Sequence, residues 1–170
     1  MVDIPSLDTE RLILRAPQAS DFPAYEAFYA DAEASKFYGG PKGRKDSWNR
    51  LACDIGHWHL RGYGVWAIER KDDSAVVGGC GLVWPQGWPR SELTWWIAAD
   101  ARKRGYAKEA SKAAIRFGYD VLEWELVETH MMDDNVAARE LVLSLGGVKI
   151  ARDAFPDGHS RDVFKLPRPD

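Results

Sequence analysis

At 170 residues, with 45% hydrophobic and 29% charged side chains, the chain has the composition of one globular domain spanning 1–170 that needs neither disulfides nor metal for its core. A net charge of −3 excludes a general nucleic-acid binder, which needs a basic face, and is compatible with a cationic amine or basic peptide as partner. The N-terminus carries acids and Pro5 where a signal peptide needs a basic start, and no apolar run reaches membrane-spanning length, so the expected location is the cytoplasm.

Arg11–Arg15 alternates and is closed by Ala16-Pro17, which predicts a first strand. Ser20-Asp21 supplies an N-cap, with Pro23 tolerated in the first turn, for a helix to about Asp31. Its Phe22, Tyr25, Phe28 and Tyr29 lie three and four apart. Phe37 to Gly43 is a loop by its Gly and Pro content. Asp46 or Ser47 can cap a second helix from roughly Trp48 to Leu60, ended by Arg61-Gly62. From Val65 the periodicity changes: Val65–Arg70 and Ala75–Trp84 read as strands joined by the polar turn Lys71–Ser74. Pro85, Gly87 and Pro89 make another turn before the strand Ser91–Ile97. Ala107, Ala110, Ala114, Phe117 and Val121 recur at helical spacing and predict a helix over Lys108–Glu123. A strand Leu126–Met132 and a short helix to about Leu145, stopped by Gly146-Gly147, come next. Strands Val148–Ala151 and Asp162–Leu166, around the turn Pro156-Asp157-Gly158, complete the chain. The order βααβββαβαββ predicts a single α/β (α+β) domain, its mixed, mostly antiparallel central sheet flanked by about four helices.

Arg102-Lys103-Arg104-Gly105-Tyr106-Ala107 joins the Ser91–Ile97 strand to the helix after it. At such a turn several backbone N–H groups lack intrahelical acceptors and point along the positive end of the helix dipole, which makes a seat for phosphate or pyrophosphate. By itself the same stretch also describes a helix start with basic side chains in solvent. Other chemistry-bearing residues suggest less. Cys53 and Cys80 lack CxxC partners and are expected as reduced core residues. His57 and His59 stand two apart on a helix and face different ways, and His130 belongs to the core or a rim. No metal site is expected. Met131 and Met132 read as core, and no Gly-x-Ser-x-Gly elbow accompanies Ser160.

The element order, with Arg-x-x-Gly-x-Ala after the fourth strand, resembles the GNAT superfamily of acyl-CoA-dependent N-acyltransferases over nearly the whole chain. Leu7-Asp8-Thr9-Glu10-Arg11-Leu12-Ile13-Leu14-Arg15 looks like the opening signature of the RimJ/RimL-like (ribosomal-protein-alanine N-acetyltransferase-like) branch. Glu92-Leu93-Thr94-Trp95-Trp96-Ile97 is similar to that branch's Glu-Ile-Gly-Tyr-Trp-Ile strand, and Asp134-Asn135-Val136-Ala137-Ala138 to its Asn-x-x-Ser segment. The resemblance implies the GNAT fold and direct transfer of an acetyl group from acetyl-CoA to a primary amine, by a monomer or homodimer. It gives the pyrophosphate to the backbone of Arg102, Lys103, Arg104, Gly105, Tyr106 and Ala107, and the pantetheine arm to the backbone of Trp96, Ile97 and Ala99. A backbone N–H near Trp96 or Ile97 would stabilise the tetrahedral oxyanion, and Glu92 would act as general base through a water. Asn135 would contact the cofactor; it also reads as a helix N-cap, as Glu92 also reads as an ion-pairing strand residue.

Two positions depart from the family pattern. The Ser after the Asn is Ala138, and the Tyr that some members use as general acid falls at Val142. The thiolate would then leave unassisted or be protonated by water. These departures motivate one alternative, a non-catalytic acyl-CoA-binding or sensor module, and the turn by itself leaves another, a generic nucleotide-phosphate binder. Acceptor choice is expected from the aromatics Tyr29, Phe37, Tyr38, Trp48, Trp58, Trp84 and Trp88, which suit a small or partly apolar amine or a peptide end.

Overall fold

In the computed structural model, which describes residues 3–170, the first half lays down β1 (Leu7–Asp8), β2 (Leu12–Arg15), α1 (Phe22–Ala30), α2 (Ala32–Ser35) and α3 (Arg44–Arg61). Strands β3 (Val65–Arg70), β4 (Val76–Val83) and β5 (Glu92–Ile97) follow. The second half adds α4 (Tyr106–Asp120), β6 (Val127–Met131), α5 (Val136–Ser144), β7 (Val148–Ala154) and β8 (Ser160–Leu166). The α+β class stands, but the sheet is divided. Strands β1-β2-β3-β4-β5 form one sheet and β6-β8-β7 another, with every described pairing antiparallel. Thr129 Oγ1 donates to the Leu93 carbonyl at 2.8 Å and ties the sheets together at β5 and β6.

Leu12 and Leu14 of β2, Trp66 and Ile68 of β3, and Leu82 of β4 lie fully buried with Ile115 of α4 and Trp58 of α3. Against the opposite face of β4 and β5, Phe22, Tyr25, Phe28 and Tyr29 of α1 close over Leu51 and Trp96. Glycines let this second cluster form. A Cβ on Gly79 would stand 2.3 Å from Trp96 Nε1, so the indole occupies the space that a side chain on β4 would fill.

Two elements escaped the periodicity, the two-residue β1 and the four-residue α2. Asp31, expected to finish α1, instead accepts from the N–H groups of Glu33 and Ala34 and caps α2. Helix α3 starts four residues before Trp48, with Gly43 as its cap, because its first turn is polar and carries no apolar rhythm. Strands β7 and β8 run farther toward their turn than expected, to Ala154 and from Ser160. Cys80 is buried, and burial pushes its thiol up to about 12; Cys53, expected in the core, is exposed on α3.

The N-terminal signature has a structural task. Glu109, in the first turn of α4, accepts from the Thr9 hydroxyl and from the Arg11 N–H, both at 2.7 Å, while Arg11 Nε bonds it at 2.8 Å. Arg11 Nη1 also donates to the Arg104 carbonyl at 2.9 Å. The chain start is thus bolted to the turn before α4. Among the described residues, no helix is long and apolar enough to cross a membrane.

Candidate active site

Where β5 leaves β6, one strand edge faces a cleft. The Ala98 N–H donates to the Val77 carbonyl at 2.8 Å, and the β4–β5 register is unbroken from Val83–Glu92 to Gly78–Ile97. Strand alternation then turns the backbone groups of Trp96 and Thr94 toward β4, and those of Leu93, Trp95 and Ile97 outward. The partners of the outward carbonyls agree. Leu93 O accepts from Thr129, Trp95 O from the Tyr38 hydroxyl, and Ile97 O from Arg102 Nε at 3.3 Å. Of the three residues expected to present backbone groups to a ligand, Trp96, Ile97 and Ala99, Ile97 turns its backbone outward, whereas the Trp96 backbone is spent in the ladder and its side chain in the α1 cluster. Trp95, not singled out from sequence, takes its place.

Beyond β5, Ala99–Ala101 makes a 3₁₀ turn that carries the chain to α4. Lys103 and Gly105 both hold positive φ, 60° and 81°. Gly105 is the N-cap of α4 and offers no side chain, so the Tyr106, Ala107 and Lys108 N–H groups lack side-chain acceptors and intrahelical partners. Alternating left-handed residues before a bare helix start form a concave anion seat. A cleft of about 580 Å³ runs from this seat to β5 and is lined by Ile97, Arg102, Lys103, Gly105, Tyr106 and Ala107. Lys36, Arg102, Lys103 and Lys108 line it against only Glu33 and Asp134, which leaves it cationic. Arg104 and Ala99, both expected at the cofactor, do not line it: the Arg104 carbonyl is taken by Arg11, and Ala99 sits exposed past the strand end. The Arg102 guanidinium bonds the Ile97 and Ala34 carbonyls, so it braces the turn as well as charging it.

A second cleft, of about 420 Å³, lies toward the start of β5 and holds Glu92, Trp88, His130, Met131, Met132 and Arg161 in its wall. The two clefts share Phe37, Tyr38, Trp95, Asn135 and Ala138. Asn135 caps α5 through Oδ1, which accepts from the Ala138 N–H at 3.2 Å, and it borders both clefts as well. The Tyr38 hydroxyl is pushed up by burial, with Tyr29 adding to the effect. Val142, at the family's Tyr position, is wholly buried in the core, so no hydroxyl could reach the cleft from there without repacking.

Aromatic lining comes from fewer residues than expected. Tyr29, Phe37, Tyr38 and Trp88 line the second cleft. Trp58 is a core residue whose Nε1 donates to the Val65 carbonyl, Trp48 lies exposed edge-on to Phe22, and Trp84 donates to the Trp88 carbonyl. Met131 belongs to the core as expected and also touches the cleft, whereas Met132, expected in the core, is only half-buried and borders the cleft. His57 is occupied by the backbone: its Nε2 accepts from the Trp84 N–H at 3.0 Å, and its Nδ1 lies 2.7 Å from the Tyr63 carbonyl. His130 stands elsewhere. Its Nε2 lies 2.9 Å from Glu92 Oε2, a pairing across the two sheets that no sequence spacing announces. Among the described residues no three His, Cys, Asp or Glu side chains gather as metal ligands would.

Comparison with known proteins agrees with this layout. The model of the acetyltransferase (GNAT) domain matches residues 11–148. An uncharacterized N-acetyltransferase of Bacillus subtilis, YoaA, is 25% identical over 145 residues, which is 84% of this chain and 82% of the relative. The crystal structure of an acetyltransferase from Agrobacterium tumefaciens is similar with a TM-score of 0.88 and 28% identity, over 97% of this chain and 95% of that one. RimL, a ribosomal α-N-protein acetyltransferase in complex with coenzyme A, shares the fold with a TM-score of 0.77 at 13% identity, over 98% of this chain and 100% of its own. A family model that runs from β2 to β7, through the turn and both clefts, leaves one conclusion: the chain belongs to the GNAT family of acetyltransferases.

Proposed function

We propose that this acyltransferase moves an acetyl group from acetyl-CoA to a primary amine, either a peptide N-terminus or a small amine, by direct transfer. The observation that carries the reading is the meeting of two clefts at Tyr38, Trp95, Asn135 and Ala138, one ending on a cationic anion seat and the other holding a carboxylate. The residues present fit the cosubstrate. Unpartnered N–H groups of Tyr106, Ala107 and Lys108, with Gly105 giving close approach, suit a pyrophosphate; the outward N–H groups of Trp95 and Ile97, whose carbonyls Tyr38 and Arg102 already take, suit the carbonyls of an extended amide-bearing arm laid along β5. Lys103 and Arg102 add charge at the seat.

Bound acetyl-CoA supplies an activated acyl carbon and a thiolate that leaves readily. The chain does the rest. Glu92, half-buried on β5, takes a proton from the incoming ammonium, directly or through a water. The Ile97 N–H, aimed outward, is the candidate donor for the developing oxyanion. The aromatic and methionine wall of the second cleft excludes water from the amine. A second reading, a non-catalytic acyl-CoA-binding module, is favoured by one observation: no hydroxyl stands at Val142 or Ala138 to assist the leaving group.

Release of CoA thiol over an amine panel that includes N-terminal peptides tests the first reading, and Glu92→Gln separates the two. An enzyme with Glu92 as base loses turnover on the order of 10²–10⁴-fold and still binds acetyl-CoA. A wild-type protein that binds acetyl-CoA and acetylates nothing in the panel supports the binding module.

A further inference from the structure

We infer that His130 is the proton-relay partner of Glu92, so that the base of this site is a carboxylate–imidazole pair and not a lone carboxylate. The inference rests on Glu92 being the base. His130 enters from β6 of the smaller sheet and Glu92 from β5 of the larger, and Nε2 and Oε2 come within 2.9 Å. Their side chains are only 5% and 17% exposed. The contact is close without hydrogen-bond alignment, and both ring nitrogens of His130 lack a hydrogen-bond partner. Buried polar atoms are rarely left so, and an orphaned imidazole at a cleft wall needs a reason. Packing alone does not supply one. The ring lies 4.2 Å from that of Phe155 and 6.4 Å from that of Trp88, a slot that Leu or Met would fill without stranding two nitrogens.

A carboxylate oxygen and an imidazole nitrogen 2.9 Å apart in a cleft wall are placed to pass a proton from one to the other. The relay then runs as follows. The acceptor ammonium gives its proton to a Glu92 oxygen, and the proton passes on to His130 Nε2. The freed nitrogen lone pair forms the N–C bond, the C–S bond breaks, and its electron pair leaves with sulfur. The remaining extra proton on nitrogen neutralises the thiolate, and His130 returns its proton to water through the cleft. The charged groups around the pair are few. Arg161 of β8 is paired with Asp157 and lies over the Phe155 ring, while Arg90, just before β5, is held by Glu128 and Asp153. Arg50, also in the cleft wall, is paired with Asp54, so each of these arginines already has a carboxylate partner.

Acting through Glu92, His130 is a positioning residue, and chemical rescue tests it. His130→Ala should lower kcat on the order of 10²-fold while the KM for acetyl-CoA holds. Added imidazole should restore turnover, and more of it as the pH rises through imidazole's own ionisation, because the free base is the active form. His130→Gln, which keeps bulk and polarity, should stay folded, keep its stabilisation by acetyl-CoA and remain as slow. Wild-type turnover in either variant overturns the relay, as does His130→Ala that acetyl-CoA still stabilises but imidazole never rescues. If His130→Ala does not fold, the rate of His130→Gln decides alone. A wild-type enzyme with no amine substrate at all sinks the proposed function and the relay with it, whereas an active wild type with unaffected His130 variants sinks only the relay.

Discussion

The anion seat before α4 is most directly tested by adding one methyl group, Gly105→Ala. Gly105 holds a φ of 81°, where an L side chain costs about 1–2 kcal/mol. The new Cβ would meet only Arg11 Nη2, at 3.3 Å, and that arm can shift slightly, so sterics add little to the strain. For a chain of this size the free-energy loss lowers Tm by about 2–8 °C. The effect on ligand is separate. A methyl at the helix cap keeps a pyrophosphate from the Tyr106 and Ala107 N–H groups, and losing a charge-assisted hydrogen bond of about 1.5–3 kcal/mol weakens binding roughly 10–100-fold. Wild-type protein at a hundredfold excess over Kd gains about 2.7 kcal/mol from acetyl-CoA, or about 5–11 °C. At the same ligand concentration the variant should keep about half of that shift or less. Gly62→Ala is the control: its φ is 77° with nothing within 4 Å, and it lines neither cleft. It should lose the same Tm and keep the full ligand shift. Thermal melts with and without acetyl-CoA read both numbers, and a Gly105→Ala protein with an undiminished ligand shift refutes the seat.

Two further perturbations probe how the site is held. Gly79→Ala places a Cβ 2.3 Å from Trp96 Nε1, and Trp96 cannot retreat because Tyr25 and Phe28 stand 4.8 and 4.9 Å from its ring. Overpacking of about 1–3 kcal/mol should lower Tm by about 2–12 °C and change the tryptophan fluorescence, and an unaltered melt contradicts the packing. Glu109 tests the bolt to the N-terminus. Burial works to raise its carboxyl, but the Arg11 N–H, the Thr9 hydroxyl and the Arg11 guanidinium together hold it below the ordinary 4.5. A lowered folded value means stabilisation that is complete above the unfolded value and fades as the pH falls through the folded one. Glu109→Gln should therefore melt below wild type at pH 7, with the gap narrowing under about pH 4; a gap constant down to pH 3 excludes the carboxylate as its cause.

Long periodic segments were legible in the sequence because their signal is local. Helix α4, strands β3 to β5 and the glycine stops are written in spacings of two, three and four residues. The glycine turn and helix start proposed as an anion seat were legible for the same reason, since they are a local object. Sidedness at the cleft was not. Trp95 and Trp96 are indistinguishable as letters, and only the Ala98–Val77 bond, which sets the phase of the ladder, turns one outward and the other inward. His130 was discounted for want of a neighbour in sequence, and its partner lies across the junction of two sheets. The N-terminal signature could be recognised without its purpose being visible, because Thr9 and Arg11 meet Glu109 about a hundred residues on. Trp48, Trp58 and Trp84 failed as pocket residues because aromaticity says that a side chain wants cover, not which cover it finds.

The break in the sheet explains why one strand can serve both clefts. Ending the larger sheet at β5 leaves an edge of unpaired backbone, which invites pairing with another chain unless it is blunted. Here Thr129, Tyr38 and Arg102 each take one outward carbonyl, of Leu93, Trp95 and Ile97, so three different elements guard three successive positions. The guard from β6 joins the sheets and brings His130 level with Glu92. The Tyr38 loop roofs the point where the clefts meet, and the Arg102 turn begins the anion seat. An edge capped by its own site residues stays open to a strand-like ligand and closed to a stray strand, because only the ligand also carries the anion that the bare start of α4 can hold. The proposed function divides the work accordingly, with the cofactor on the β5–α4 side and the acceptor on the β6 side, and it predicts that a substitution in the wall around Trp88, Met131 or Met132 changes the amine accepted without changing acetyl-CoA binding.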